Sequence, residues 1–114
     1  MPANSLNMTE HSLNKYIVTI QLDDITMFAR YDPAHDVGNA PAVLLLHGWG
    51  WPDIDPATYM DTAAKDFQRR GYTVLLPTMR GWWPTGGSDD CAGRQVDDAL
   101  KALDWLAAQP DVDA

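Results

Sequence analysis

The sequence His47-Gly48-Trp49-Gly50 closes an unbroken apolar string, Ala42-Val43-Leu44-Leu45-Leu46. Backbone N–H groups in such a glycine turn can aim at a developing oxyanion, so the chemistry it points to is stabilisation of that negative oxygen. His47 itself has two readings, general base or structural residue; a histidine at the tip of a buried strand favours hydrogen bonding to loop backbone. A nucleophile must come from elsewhere. Ser88 is the nearest candidate, within Gly86-Gly87-Ser88-Asp89-Asp90. A G-x-S-x-G elbow needs glycine at position 90 and a strand directly before the serine. Asp90 and a loop rich in proline and glycine stand there instead, so Ser88 is set aside.

The other chemistry-bearing residues form no site. His11 and His35 fall in polar loops with no partner at ligand spacing, and no H-x-x-x-H or C-x-x-C pattern occurs, so no metal is expected. Gly48-Trp49-Gly50 fails as a dinucleotide fingerprint because Asp53 stands where the third glycine belongs, and no cofactor is implied. Asp23-Asp24, Asp89-Asp90 and Asp97-Asp98 lack calcium-loop spacing and read as turns and solvated helix faces. Trp49, Trp51, Trp82 and Trp83 all follow predicted parallel strands, so they gather at one edge of the sheet. There they either line a substrate mouth or cover a loop-rich surface.

The elements that must position these residues are legible. Residues 1–14 are polar and read as a flexible leader ahead of one domain over 15–114. Lys15 to Asp23 and Ile25 to Tyr31 form a predicted hairpin, with Ile25, Met27 and Ala29 on one face. A buried strand covers 42–47. Asp55-Pro56 opens a helix over 56–70 with an apolar face of Tyr59, Met60, Ala63, Ala64 and Phe67, closed at Gly71. Tyr72 to Leu76 is a strand stopped by Pro77, completing a βαβ unit with parallel strands. A second helix runs from Arg94 to Ala108; its predicted apolar face is Val96, Ala99, Leu100, Leu103, Leu106 and Ala107.

Composition excludes several partners. With 16 acidic against 8 basic residues, the net charge of −8 argues against nucleic acid and anionic membrane surfaces. One cysteine, Cys91, forms no internal disulfide. The N-terminus has neither a basic nor an apolar signal region, and no apolar run is long enough to span a bilayer. A cytoplasmic protein is the expectation.

Three stretches together resemble the N-terminal half of the α/β-hydrolase fold, most closely prolyl oligopeptidase-type serine hydrolases and related esterases. They are Val43 to Gly50; Phe67 to Pro77 with Arg80-Gly81; and Val96 to Leu106 with Pro110-Asp111-Val112-Asp113. The resemblance implies an antiparallel hairpin, then the βαβ unit and a further helix. It assigns an oxyanion-hole role to the backbone of Trp49 and structural roles to His47, Gly48, Arg80 and Gly81. Trp51, Trp82 and Trp83 are the substrate-mouth candidates. In that family a strand with G-x-S-x-G comes next, and the acid and histidine later. The resemblance thus puts the nucleophile, acid and base beyond Ala114, and assigns no catalytic side chain within the 114 residues. The expectation is therefore an incomplete serine hydrolase, inactive alone, that meets a complementary half or self-associates. The alternative is a non-catalytic binding module with a Trp-rich edge.

Overall fold

In a computed structural model, residues 15–34, 39–48, 54–88 and 93–113 are described. The leader expected over 1–14, along with His11, His35 and Cys91, lies outside them. Ala114, the boundary beyond which the catalytic residues are expected, lies outside them too, so the expected domain over 15–114 is described only as far as Asp113. The elements in chain order are β1 (Tyr16–Gln21), β2 (Thr26–Asp32), β3 (Ala42–Leu44), α1 (Pro56–Tyr59), α2 (Asp61–Arg69), β4 (Thr73–Pro77) and α3 (Arg94–Ala107). One sheet takes the order β1-β2-β4-β3. The β1–β2 hairpin is antiparallel, β2 pairs antiparallel with β4, and β4 pairs parallel with β3. This is the mixed α/β architecture the sequence implied. The direct pairing of β2 with β4 is the one link that no local pattern announced.

Burial follows position in the sheet. The outer strand β1 alternates between wet and dry faces, whereas every residue of β4 is buried because it lies between two strands and two helical layers. Leu75 faces one core with Met27, Ala29, Ala102 and Leu106; Val74 and Leu76 face another with Ala64. The helices α3 and α2 thus cover opposite sides, each closing a separate apolar cluster.

The predicted strand over 42–47 is shorter in the structure, and Pro77 supplies the reason. Thr73 N–H donates to the Pro41 carbonyl and Leu45 N–H to that of Leu75, both at 2.9 Å. The next donor from β4 in this ladder would be Pro77, which has no N–H. The chain therefore leaves the sheet after Leu45, and Leu46 turns outward.

The helix expected over 56–70 is divided at Met60. Its start is as the sequence implied: Pro56 sits at the first turn and the Asp55 carboxylate accepts from Ala57 N–H at 3.0 Å, a cap of about 1 kcal/mol. Its end is a Schellman turn on Gly71, whose φ is 95°. Gly71 N–H returns to Gln68 O and Tyr72 N–H to Phe67 O, while the Phe67 and Tyr72 rings meet edge-on at 5.8 Å.

The face of α3 needs correction. Its buried residues are Asp98, Ala102 and Leu106, whereas Val96, Leu100 and Leu103 are 50%, 55% and 46% exposed. An ion pair turns the helix: Arg80 draws Asp98 inward, with Nε–Oδ2 and Nη2–Oδ1 separations of 2.7 and 3.0 Å. Of the expected face, Leu106 is buried and Ala99 packs on the core; hydropathy ranks an aspartate as an outside residue, so apolar spacing centred the stripe on Val96, Leu100 and Leu103 instead of on Asp98 and Ala102.

Candidate functional site

The C-terminal ends of β3 and β4 meet at one rim. His47, three residues past β3, is half-buried and bridges both. Its Nε2 accepts the Met79 N–H at 3.0 Å, and its Nδ1 lies 3.0 Å from the Gly48 carbonyl oxygen. An amide N–H can only donate, so Nε2 carries the lone pair. Neutral His47 therefore bears its proton on Nδ1 and donates it to Gly48 O. The ring also stands edge-on to Trp82, centroids 5.3 Å apart. With both nitrogens engaged by backbone, His47 acts here as a brace rather than a free base.

Gly48 takes no left-handed φ, and among the described residues a Cβ built on it would meet nothing within 4 Å. Its lack of a side chain is therefore not spent on a strained turn. Trp49, the oxyanion-hole candidate, and Trp51, a mouth candidate, lie outside the described residues, as do Asp89 and Asp90. Ser88 is exposed in the loop before α3.

Asp55 and two threonines complete the rim, and sequence reading missed their joint role. The Thr78 hydroxyl donates to Asp55 Oδ1 at 2.8 Å, so the carboxylate that caps α1 also ties the end of β4 to the segment after β3. The Thr85 hydroxyl donates to Thr78 O at 2.6 Å and accepts from Phe28 N–H at 3.1 Å. The helix-start pattern announced the cap at Asp55, but nothing local announced a partner 23 residues on.

The two adjacent tryptophans, paired as mouth candidates, separate. Trp82 is only 3% exposed and packs inward against His47, whereas Trp83 is 60% exposed. Burial makes Trp82 a strut under the rim; only its neighbour presents an accessible ring.

Arg80 and Gly81 hold the loop from beneath. Buried Arg80 bonds Asp98 and, through Nη1 and Nη2, Asp24 at 2.8 and 3.0 Å. Those carboxylate bonds outweigh burial and push the guanidinium pKa up, and the bond from Arg80 lowers that of Asp24 to about 2. A cleft of about 460 Å³ borders this cluster, lined by Asp23, Asp24, Arg80, Arg94, Asp98 and Lys101. Arg80, Arg94 and Lys101 pair there with Asp24, Asp98 and Asp23, so that part of the lining reads as a structural network, while Asp97 and Asp104 also face the cleft. Gly81 has φ 93° and donates its N–H to Gly86 O at 2.6 Å. On the opposite side of the sheet, buried Arg30 bonds Asp32 bidentately and reaches Asp61 at 2.6 Å. Among the described residues no group of three His, Cys, Asp or Glu side chains is placed to hold a metal, and no helix is long and apolar enough to cross a membrane.

β3 has a second edge. Ala40 and Val112 form a parallel bridge there, with Ala40 N–H donating to Asp111 O and Asp113 N–H to Ala40 O, both at 2.8 Å. The segment after α3 thus begins to pair beside β3 on the side away from β4.

A family model, X-Pro dipeptidyl-peptidase (S15 family), matches residues 28–113. A comparison with curated proteins returned no significant match. Among solved structures, the α/β hydrolase GrgF from Penicillium sp. sh18 is 30% identical with a TM-score of 0.70, over 88% of this chain and 34% of that one. An α/β serine hydrolase without lid from Xanthomonas campestris is 20% identical at TM-score 0.68, over 84% and 45%. A CocE/NonD family hydrolase from Staphylococcus aureus is 16% identical at TM-score 0.64, over 84% and 20%. This chain spans less than half the length of each. Of the resemblance drawn from the motifs, these comparisons carry the α/β hydrolase, with S15 as the family matched.

Proposed function

Because the chain belongs to the X-Pro dipeptidyl-peptidase (S15) family, we propose that it supplies the oxyanion-strand half of a serine hydrolase that cleaves ester or peptide bonds through an acyl-enzyme. The observation that carries this reading is the braced rim. Two parallel strands end side by side, and His47 locks the turn after β3 to the backbone after β4. Preorganised backbone donors of this kind stabilise the negative oxygen of a tetrahedral intermediate, typically contributing about 10²–10³ in rate per donor. The donor proposed is the backbone N–H of Trp49, directly after Gly48, whose Cβ position meets none of the described residues within 4 Å.

The nucleophile, acid and base, expected beyond Ala114, are proposed to lie on a complementary half. The bridge between Ala40 and Val112 supports the place of its first strand, parallel to β3 along its second edge. A G-x-S-x-G elbow at the end of such a strand would set its serine next to the glycine turn. No G-x-S-x-G occurs within these 114 residues, so hydrolysis is proposed to need that half.

The test is hydrolysis of p-nitrophenyl butyrate by the chain alone, and by the chain mixed with a polypeptide carrying the strand, elbow, acid and histidine. Turnover only in the mixture, abolished by Ser→Ala in the elbow, supports the reading. Turnover by the chain alone, lost on substituting one of its own side chains, sinks it.

A second reading, a non-catalytic binding module, is favoured by the exposed ring of Trp83. A stable monomer with one cooperative melt and no affinity for the complementary half would support it instead.

A further inference from the structure

The sheet has two outer edges, and among the described residues they are treated differently. At the β3 edge the segment after α3 already begins a pairing, through Ala40 and Val112. At the other edge β1 has β2 on its inner side and, among the described residues, no strand on its outer side. The hairpin turn decides which backbone groups that leaves over. Leu22 N–H donates to Ile25 O at 2.9 Å, closing the turn over Asp23 and Asp24. Bonded positions alternate along an antiparallel ladder, so Leu22, Ile20, Val18 and Tyr16 direct their amide groups at β2. Ile17, Thr19 and Gln21 direct theirs to the outer edge. The neighbouring strand agrees: Phe28, paired with Thr19, gives its N–H to the Thr85 hydroxyl and its carbonyl to Thr78 N–H, both away from β1.

An outer strand is ordinarily blunted by a proline, a bulge or a charge within it. β1 has none of these. Its run Tyr16-Ile17-Val18-Thr19-Ile20-Gln21 is uncharged, rich in β-branched residues and in unbroken register with β2. Ile17 stands 65% exposed on it. Charge sits only beyond its two ends, on Lys15 before it and on Asp23 after it, with side chains 57% and 96% exposed. Opposite signs at the two ends make this edge complementary to its own reverse.

We propose that β1 pairs antiparallel with the β1 of a second copy of this chain, about a two-fold axis normal to the sheet at Thr19. Such an axis keeps each face of the sheet on its own side, so odd-numbered residues meet odd-numbered ones. The register centred on Thr19 pairs Thr19 with Thr19 of the second copy and Ile17 with Gln21. Every outward amide and carbonyl of these three residues then finds a partner. The same register sets Lys15 of each copy opposite Asp23 of the other. Centring it on Val18 or Ile20 would set Lys15 opposite Gln21, or Asp23 opposite Ile17, instead. The contact uses the same edge on both copies, so it closes at two. It lies at the far end of the sheet from the β3 edge assigned to the complementary half, and it holds or fails independently of the hydrolase reading.

The test is sedimentation velocity of the 114-residue chain over a range of concentrations, with amide hydrogen exchange measured at both ends of that range. The parent should pass from monomer to dimer and no further. Exchange at Ile17, Thr19 and Gln21 should slow as it does so, while Val18 and Ile20, already bonded to β2, should not change. Thr19→Pro removes an outward N–H that the chain's own sheet does not use, so this variant should fold and stay monomeric. Lys15→Asp or Asp23→Lys alone sets like charges opposite each other at both ends of the contact and should weaken dimerisation about tenfold; the two together should restore it to within about threefold of the parent. Within the chain Lys15 lies 3.9 Å from Asp61 and Asp23 2.9 Å from Lys101. If only those contacts mattered, the double reversal would give the weakest dimer of all. The reversals, both at exposed positions, decide the case should the proline variant unfold. A chain monomeric throughout with Ile17, Thr19 and Gln21 exchanging freely, a dimer unmoved by a folded Thr19→Pro, or a double reversal that restores nothing overturns the proposal.

Discussion

The His47 Nε2 accepts the Met79 N–H at 3.0 Å, joining the turn after β3 to buried backbone two residues beyond β4. Replacing the ring by a methyl leaves that N–H, on a residue 6% exposed, without its acceptor. His47→Ala should therefore cost about 1–3 kcal/mol in urea unfolding and quicken exchange of the Met79 amide. His47→Gln, whose carbonyl oxygen reaches a similar place, should recover part of both. ¹⁵N spectra of the parent should show the Nδ1–H tautomer. A proton on Nε2, or slow Met79 exchange in His47→Ala, would contradict the brace.

Arg80 and Asp98 form the most deeply buried ion pair of the α3 side, with side chains 6% and 4% exposed. Removing one partner strands a charge in the core, so Asp98→Ala should destabilise by about 3–5 kcal/mol. Asp24 bonds the same guanidinium but is 40% exposed, so solvent screens the pair and Asp24→Ala should cost far less than Asp98→Ala. Chemical denaturation of the two variants under one set of conditions separates them; equal losses would show that burial does not set the energy of this network.

Acid should loosen the same network in a defined window. The bond from Arg80 lowers the Asp24 pKa from 3.8 to about 2 in the folded chain. A carboxyl depressed by folding contributes stability that is full above its unfolded pKa and is lost as pH falls through the folded one. Asp61 shifts the same way, because its bonds to Arg30 and Lys65 overcome the opposing effect of burial. The melting temperature should thus fall between about pH 4 and pH 2. Asp24→Asn should flatten part of that fall, and an unchanged slope in this variant would exclude Asp24 as a contributor.

What the sequence disclosed was what local chemistry decides. The continuous apolar strings declared β3 and β4, Asp55-Pro56 declared a helix start, and Gly71 its end, because strands, caps and left-handed turns depend on neighbouring residues. Hidden were the features made by partners distant in sequence. Asp55 meets Thr78, and Thr85 meets Phe28 across 57 positions. The pairing of β2 with β4 and the inward turn of Trp82 belong to the same class. The separation of Trp82 from Trp83 was illegible for a further reason: adjacent residues in a tight turn point apart, and composition assigns both the same role.

The rotation of α3 gives a decisive comparison, because the two faces predict opposite outcomes for paired substitutions. Leu100 lies on the stripe that apolar spacing selects, yet it is 55% exposed, whereas Ala102 is fully buried beside Leu75 and Leu106. Leu100→Glu should change the unfolding free energy by no more than about 0.5 kcal/mol, since the new carboxylate stays in water. Ala102→Glu forces a longer, charged side chain into a closed apolar cluster, adding overpacking to the cost of burying a charge, and should cost more than about 3 kcal/mol. Urea unfolding of both variants reads the difference directly. If Leu100→Glu proved the more damaging, the Val96-Leu100-Leu103 stripe would be the buried face, and the inward pull of Arg80 on Asp98 would not be what orients the helix.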